Sequence, residues 1–379
     1  MKKILLTATV QSHICQFHRP LVEMLRENGE CEIHVAARDN LAEKNGLKLD
    51  FADKVFNIPF SRSPFNKNNI TAYKQLKKII EEENYDIIHC NTPSGGVVTR
   101  LAAKKVRKKG AGVYYTAHGF HFYCGASKKN WMIYYPIEKF FARYTDKLIT
   151  INNEDYELAK KKFGCKIERI HGVGVDGERY RPGDEEEIKL LKSKLGYPED
   201  SRIILCVGEL LPNKNQKMVI AAMAEVVKKF PCAILLLAGN GPEKENLEEF
   251  IRTLNLDNNV KLIGYCTNLE EYQRISDMSV SCSKREGLGL NLIEAMLSEN
   301  PVIGTENRGH SELITSGENG YLIKQSDVTK LYENIVKILA DKDESCKMGS
   351  CGRNFALKYE KQSVKKELQQ IYFPNSEEQ

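Results

Sequence analysis

At 379 residues the chain is too long for one ordinary domain and comfortable for two. Hydrophobic residues at 41% and charged residues at 28% exclude a disordered or fibrous chain. The longest apolar run, CAILLLAG at 232–239, is far short of the roughly 20 residues that span a bilayer. The net charge of +5 conceals a split: residues 1–172 hold 29 basic against 18 acidic residues, and the remainder 27 against 33. Such a first half suits something anionic, a membrane surface or a phosphate-bearing ligand.

The opening MKKILLTATV imitates a short signal peptide. It runs into QSHICQFHRP with no small-residue cleavage site, so a first buried strand is expected. CEIHVAA, YDIIHC, GVYYTA and KLITIN read as further strands, with helical stretches such as 69–83 between them. The basic run Lys104 to Lys109 falls on a predicted helix, where a solvated face explains it as well as a ligand does. Aromatics from Tyr114 to Tyr144, including Trp131, the only tryptophan, neighbour Lys128, Lys129 and Arg143. That mixture fits a membrane interface, and core packing fits it equally.

A charged, glycine-containing stretch at 171–187 reads as a hinge, and the alternation then restarts. RIILCVG, AILLLAG, VKLIG, DMSVSC and NPVIGT are strands, each leading into a helix. Near-continuous apolar strands separated by helices imply parallel sheets covered on both faces. The expected fold is α/β: two Rossmann-like, doubly wound domains facing across a cleft. Residues 1–172 form the first and 173–355 the second. Residues 356–379 add a helix and a frayed tail that would cross back to the first domain. Eleven cysteines lack C-x-x-C or metal-like spacing and read as reduced thiols filling core space in a cytoplasmic chain, whose basic first half would suit the inner face of the plasma membrane. Asp341 and Asp343 have the spacing of a metal pair but lie between C-terminal helices, and they are discounted.

The segment SKREGLGLNLIEAMLSENPVIGT, 283–305, carries the most chemistry. A strand ends near Cys282, a loop with Gly287 and Gly289 follows, and a helix starts near Leu290. Free amides and the helix dipole at such a turn favour an anion. Glu286 and Glu294 bracket the turn, and carboxylates accept hydrogen bonds from hydroxyls. An anion cradle between hydroxyl-binding acids fits a sugar–diphosphate–ribose ligand. The plain alternative makes Glu286 a helix cap and Glu294 a surface acid.

This segment resembles the Glu-x7-Glu signature of retaining glycosyltransferases of family 4, which have the GT-B fold. The likeness continues through GVDGERYRP (174–182), VGELLPNKNQ (207–216) and LAGNGPEKENLEEF (237–250). YDIIHCNTPSGGVVTRLAA, YTAHGFHF, KNWMIYYPIEKF and the NRGH at 307–310 resemble bacterial exopolysaccharide and capsule glycosyltransferases. The resemblance implies that Glu286 contacts the donor sugar and Glu294 the ribose. It also implies that Gly208 and the backbone of Gly287, Leu288, Gly289, Leu290 and Asn291 meet the donor, and that Lys214 neutralises the leaving diphosphate. His118, after a strand, would lie beside the reacting centre, or else be a core histidine satisfied by backbone. Ser12, His13, His18 and His121 are candidates for the acceptor side.

Two departures stand out. Glu209 occupies the place of a usual phosphate-binding arginine, with Arg285 and Arg308 as substitutes, and Thr9 to Ser12 replace the usual glycine pair after the first strand. The implied reaction moves a hexose-type sugar from a nucleoside diphosphate, most commonly uridine diphosphate in the family it resembles, to a glycan or polyprenyl-linked acceptor with retention. It requires no metal or other cofactor beyond the nucleotide-sugar co-substrate, and it has no nucleic-acid partner. Closure on the donor would bring Lys214 and Glu286 toward His118. The rival readings are a sugar-nucleotide epimerase on the same frame and a non-catalytic sugar-nucleotide-binding partner of a polysaccharide assembly complex.

Overall fold

The computed structural model describes residues 1–43, 47–63 and 66–374; all but the first residue of the expected frayed tail lies outside them. Two compact units emerge: Met1–Gly174 together with Lys361–Gln379, and Val175–Glu360. Each is a parallel sheet with helices on its faces.

The first unit carries β1 (Lys2–Val10), β2 (Cys31–Arg38), β3 (Lys54–Asn57), β4 (Ile87–Asn91), β5 (Gly112–Ala117), β6 (Lys147–Thr150) and β7 (Lys166–Arg169) in the order β3-β2-β1-β4-β5-β6-β7. The second carries β8 (Arg202–Val207), β9 (Ala233–Ala238), β10 (Val260–Gly264), β11 (Met278–Ser281), β12 (Val302–Thr305) and β13 (Gly320–Ile323) in the order β10-β9-β8-β11-β12-β13. Both orders reverse beside the first strand of the unit. Such a switch point is where open α/β sheets place ligands, outside the carboxyl ends of the strands.

Two-sided burial explains the near-continuous apolar strands. In β8, Ile204 and Cys206 join one core cluster while Ile203 and Leu205 join another on the opposite face. In the first unit Leu5, Ile88, Val113, Cys90, Tyr115 and Leu148 share one face, packed in two neighbouring clusters, while Ile4, Leu6 and Ile149 are buried on the opposite face. The edge strands β3, β7 and β13 were not expected. KVFN and KIER are short and carry charge, as exposed edges do, so they lack an apolar signature.

The terminal helix Lys361–Tyr372 belongs to the first unit. Its Lys365 pairs with Glu27, and its Tyr372 hydroxyl bonds Nδ1 of His89. Nε2 of that histidine meets the Thr116 hydroxyl at 2.7 Å, so His89 is a packing element. Core filling accounts for only some of the cysteines: Cys15, Cys90, Cys206 and Cys282 are buried, while Cys124, Cys232, Cys346 and Cys351 are exposed, and all eleven are free thiols. Trp131, Tyr134 and Tyr135 pack against the core around Phe122, whereas Met132 and Phe140 are exposed. Asp341 caps the helix Lys342–Ala356, accepting from Glu344 N–H, a structural use for that acid. No helix among the described residues is long and apolar enough to cross a membrane.

Candidate functional site

In the second unit the expected donor residues converge beyond β8 and β11. Lys214, in the loop after β8, donates from Nζ to Glu286 Oε1 at 2.5 Å, although 72 residues separate them. Gly208 makes room for this: a Cβ there would stand 3.3 Å from Lys214 Cδ. Gly239 is needed for a similar reason, since its φ of +143° and the Gly208 carbonyl, 2.1 Å from any added Cβ, admit no side chain. Burial pushes the Glu286 carboxyl up, but Lys214, the Ser283 hydroxyl and His310 together outweigh it and hold the group below its ordinary value. Glu286 is therefore an anion, and it caps nothing: the helix Leu290–Leu297 begins on Gly289, with no side-chain cap.

Gly289 stands at φ +97°, a left-handed geometry that suits glycine at this strand-to-helix turn. Leu288 is buried. Asn291 is tied to the sheet by its Nδ2, which donates to the Val207 carbonyl at 3.0 Å. Leu290 and Asn291 open the helix, so their amides lie in its first turn, where anions are favoured.

Glu294 lies half-buried on that helix and is hydrogen-bonded to the Tyr180 hydroxyl. Burial pushes its pKa up to about 7 from the ordinary 4.5, against the pull of Arg179 and Tyr180. A group whose folded value is raised binds its proton more tightly in the native state. Its stabilising contribution is therefore complete below about 4.5 and is lost as pH rises through about 7. We expect Glu294→Gln to remove this fall, so that the variant gains on wild type between those pH values. Unfolding midpoints measured across the range test it, and a difference curve without slope would refute it.

The replacement cations sit differently. Glu209 is exposed, in keeping with an acid on the surface. Arg285 is exposed too, its carbonyl accepting from Asn213 Nδ2. Arg308 lies against the loop, donating from Nε to the Glu286 carbonyl at 3.3 Å.

His310 was not foreseen as a site residue. Fully buried, it has its pKa brought down to about 4 by burial, against the opposing pull of Glu286. Its Nδ1 lies 2.9 Å from the Thr305 carbonyl and so carries the proton, while Nε2 has no hydrogen-bond partner. The ring backs the glycine turn, 3.2 Å from where a Gly289 Cβ would stand. The NRGH motif held this residue, but nothing in its spacing tied it to Gly289.

In the first unit, His118 follows β5 and is partly exposed. Its Nε2 lies 3.2 Å from Asn91 Oδ1, at the end of β4, and 3.2 Å from His13 Nε2. It is thus held by side chains and not, as a core histidine would be, by backbone. Burial brings its pKa down to about 4, so the ring is neutral at pH 7. His18 is buried beside this pair. His121 stacks on Tyr134 at 4.5 Å and, with His13 and Arg62, lines a largely apolar cavity of about 430 Å³. Ser12 is buried and its hydroxyl accepts from Asn40 Nδ2 at 2.9 Å, so that group serves the packing of the loop. Thr92 at φ +65° also borders the cavity; its Oγ1 lies 2.7 Å from that of Thr9, across the place where the glycine pair was expected.

Two family models match this chain: "Glycosyl transferase 4-like" over residues 3–152 and "Glycosyl transferases group 1" over 187–355. "Putative glycosyltransferase EpsD" of Bacillus subtilis strain 168 is 44% identical over 98% of this chain and 96% of its own. An Escherichia coli UDP-Gal:α-D-GlcNAc-diphosphoundecaprenol α-1,3-galactosyltransferase is 29% identical over 80% of each. Among solved structures, Anabaena HepE in complex with UDP-glucose superposes with a TM-score of 0.79 at 19% identity, over 98% of this chain and 99% of that one. The chain belongs to the glycosyltransferases, with a family 4-like half followed by a group 1 half, and its fold is GT-B.

Proposed function

We propose that the chain is a retaining glycosyltransferase that moves a hexose or N-acetylhexosamine from a UDP-sugar to a glycan or polyprenyl-diphosphate-linked acceptor in surface polysaccharide synthesis. The observation that carries this reading is the Lys214–Glu286 pair at 2.5 Å, set at the mouth of the glycine turn that opens the Glu294 helix. A cation, free helix amides and two acids in that order suit a diphosphate held between two hydroxyl-bearing sugars. The relatives support the substrate classes: one is named for a UDP-galactose donor and a diphosphoundecaprenol acceptor, and HepE was solved with UDP-glucose.

In this reading Glu286 accepts from donor-sugar hydroxyls and Glu294 from the ribose. Backbone amides of 287–291 and Lys214 take the charge that grows on the diphosphate as the C1–O bond breaks. The acceptor oxygen bonds C1 on the face that the diphosphate leaves, and its proton passes to the departing phosphate oxygen. Catalysis then rests on charge stabilisation and positioning, with His118 beside the sugar and no metal or further cofactor required. The basic first unit, with exposed Met132 and Phe140 among Lys128, Lys129, Lys139 and Arg143, would suit contact with an anionic membrane surface on the cytoplasmic side.

A panel of nucleotide sugars tests the reading. The true donor should raise the unfolding midpoint above all others, and with acceptor present should yield a glycoside and UDP. Interconversion of the sugar nucleotide without acceptor would make the chain an epimerase. Binding with neither transfer nor hydrolysis would make it a sensor.

A further inference from the structure

Three histidines meet at the carboxyl end of the first sheet, and the proposed transfer uses only one of them. His13 comes from the helix Gln11–Phe17, His18 from the residue that precedes the next helix, and His118 from the loop after β5. Each offers one ring nitrogen, and the three nitrogens lie within 4.8 Å of one another. The Nε2 atoms of His13 and His118 are 3.2 Å apart. Imidazole nitrogens that hold a tetrahedral ion at about 2.0–2.1 Å stand roughly 3.3 Å from each other. One pair is therefore already at ligand spacing, and the third nitrogen needs only a small ring movement.

A second observation points the same way. His18 is 4% exposed, and its Nε2 has no hydrogen-bond partner. Buried polar groups are nearly always satisfied, and one that is not calls for an explanation such as an ion. His13 and His118 keep partial exposure, which leaves a route in from solvent. Burial keeps all three rings neutral at neutral pH. One Nε2 of the His13–His118 pair carries the proton of their hydrogen bond, and a shift of that ring to its Nδ1–H tautomer frees the second lone pair for the ion.

We propose that His13, His18 and His118 form a binding site for one divalent transition-metal ion of the zinc, cobalt, nickel or copper type. An all-imidazole set selects these ions over magnesium and calcium, which need oxygen ligands. Asn91 Oδ1, 3.2 Å from His118 Nε2, or a water completes four-coordination. The exposed Arg62 lies near His13, and its positive charge works against the ion. An ion here occupies the His118 nitrogen and inhibits transfer; that consequence rests on the function proposed above, whereas the site does not.

The test is a titration of the full chain with Co²⁺, read as the absorption of four-coordinate cobalt, and with Zn²⁺ by calorimetry. The four exposed cysteines also take metal but add a thiolate charge-transfer band, so the signal sought is the part that lacks it. That part should amount to one equivalent and weaken at least about tenfold in both His13→Ala and His18→Gln. Metal-free unfolding midpoints check both variants, and if His18→Gln does not fold, His13→Ala, partly exposed, decides alone. Unchanged stoichiometry and affinity in His13→Ala would overturn the site. A chain that binds the ion through these histidines yet transfers no sugar keeps the site and removes only the transfer reading.

Discussion

Lys214→Ala and Glu286→Gln are each expected to lower sugar transfer roughly 10²- to 10³-fold while leaving a folded protein. The two side chains retain 24% and 15% exposure, so losing their contact costs about 1–2 kcal/mol, small against an ordinary domain's margin. Their roles in catalysis differ, and binding separates them. Lys214→Ala should weaken UDP itself, because the ammonium answers the diphosphate. Glu286→Gln should leave UDP affinity close to wild type and weaken only the intact nucleotide sugar. Lys214→Ala also removes the largest influence holding the Glu286 carboxyl low, so the acid limb of its residual pH–rate profile should move to higher pH. Because the residues touch, the double variant should lose less than the product of the single losses. Near-normal turnover in both single variants would sink the assignment, whatever UDP affinity showed.

What could be read in advance, and what could not, follows from where each residue sits. β1, β4, β5, β8, β9 and β11 are central strands buried on both faces, so their apolar runs announce them. β3 and β7 lie at sheet edges, where one side needs no partner and charge is tolerated, and β13, at another edge, is only four residues long. The turn at 286–291 was legible because its spacing is local: acid, glycine, glycine and helix succeed one another within a few residues. Its electrostatics were not, since Lys214 reaches Glu286 across 72 residues and His310 comes from beyond β12. The histidine trio was hidden for the same reason. His13 and His18 are five apart with no regular ligand spacing, and His118 joins them only once β1, β4 and β5 lie side by side. Arg100 stands four residues before the basic run that opens at Lys104, and nothing in its sequence neighbours marks it as buried.

That buried arginine carries the largest stability effect expected in the molecule. Arg100 is 0% exposed; its Nη2 donates to Glu138 Oε2 at 2.8 Å and its Nε to the Gly96 carbonyl at 3.0 Å. The guanidinium lies 4.1 Å from the Tyr115 ring centroid, and the Tyr115 hydroxyl donates to the other Glu138 oxygen at 3.2 Å. Arg100→Met should therefore cost about 3–5 kcal/mol, because it leaves a carboxylate buried without its cation. The burial of the arginine is not itself the source of stability: two charges taken out of water repay little more than their desolvation. Arg100→Met with Glu138→Gln should thus recover much of the loss, since the neutral amide still accepts from Tyr115 and no charge is stranded. The two units need not unfold together, so bulk signals are unsuitable. Trp131, the only tryptophan, packs in the same core cluster as Tyr115, and its fluorescence in a urea titration reports the unit that holds Arg100. A double variant less stable than Arg100→Met would mean that the pair contributes net stability, and the desolvation argument would fail at this site.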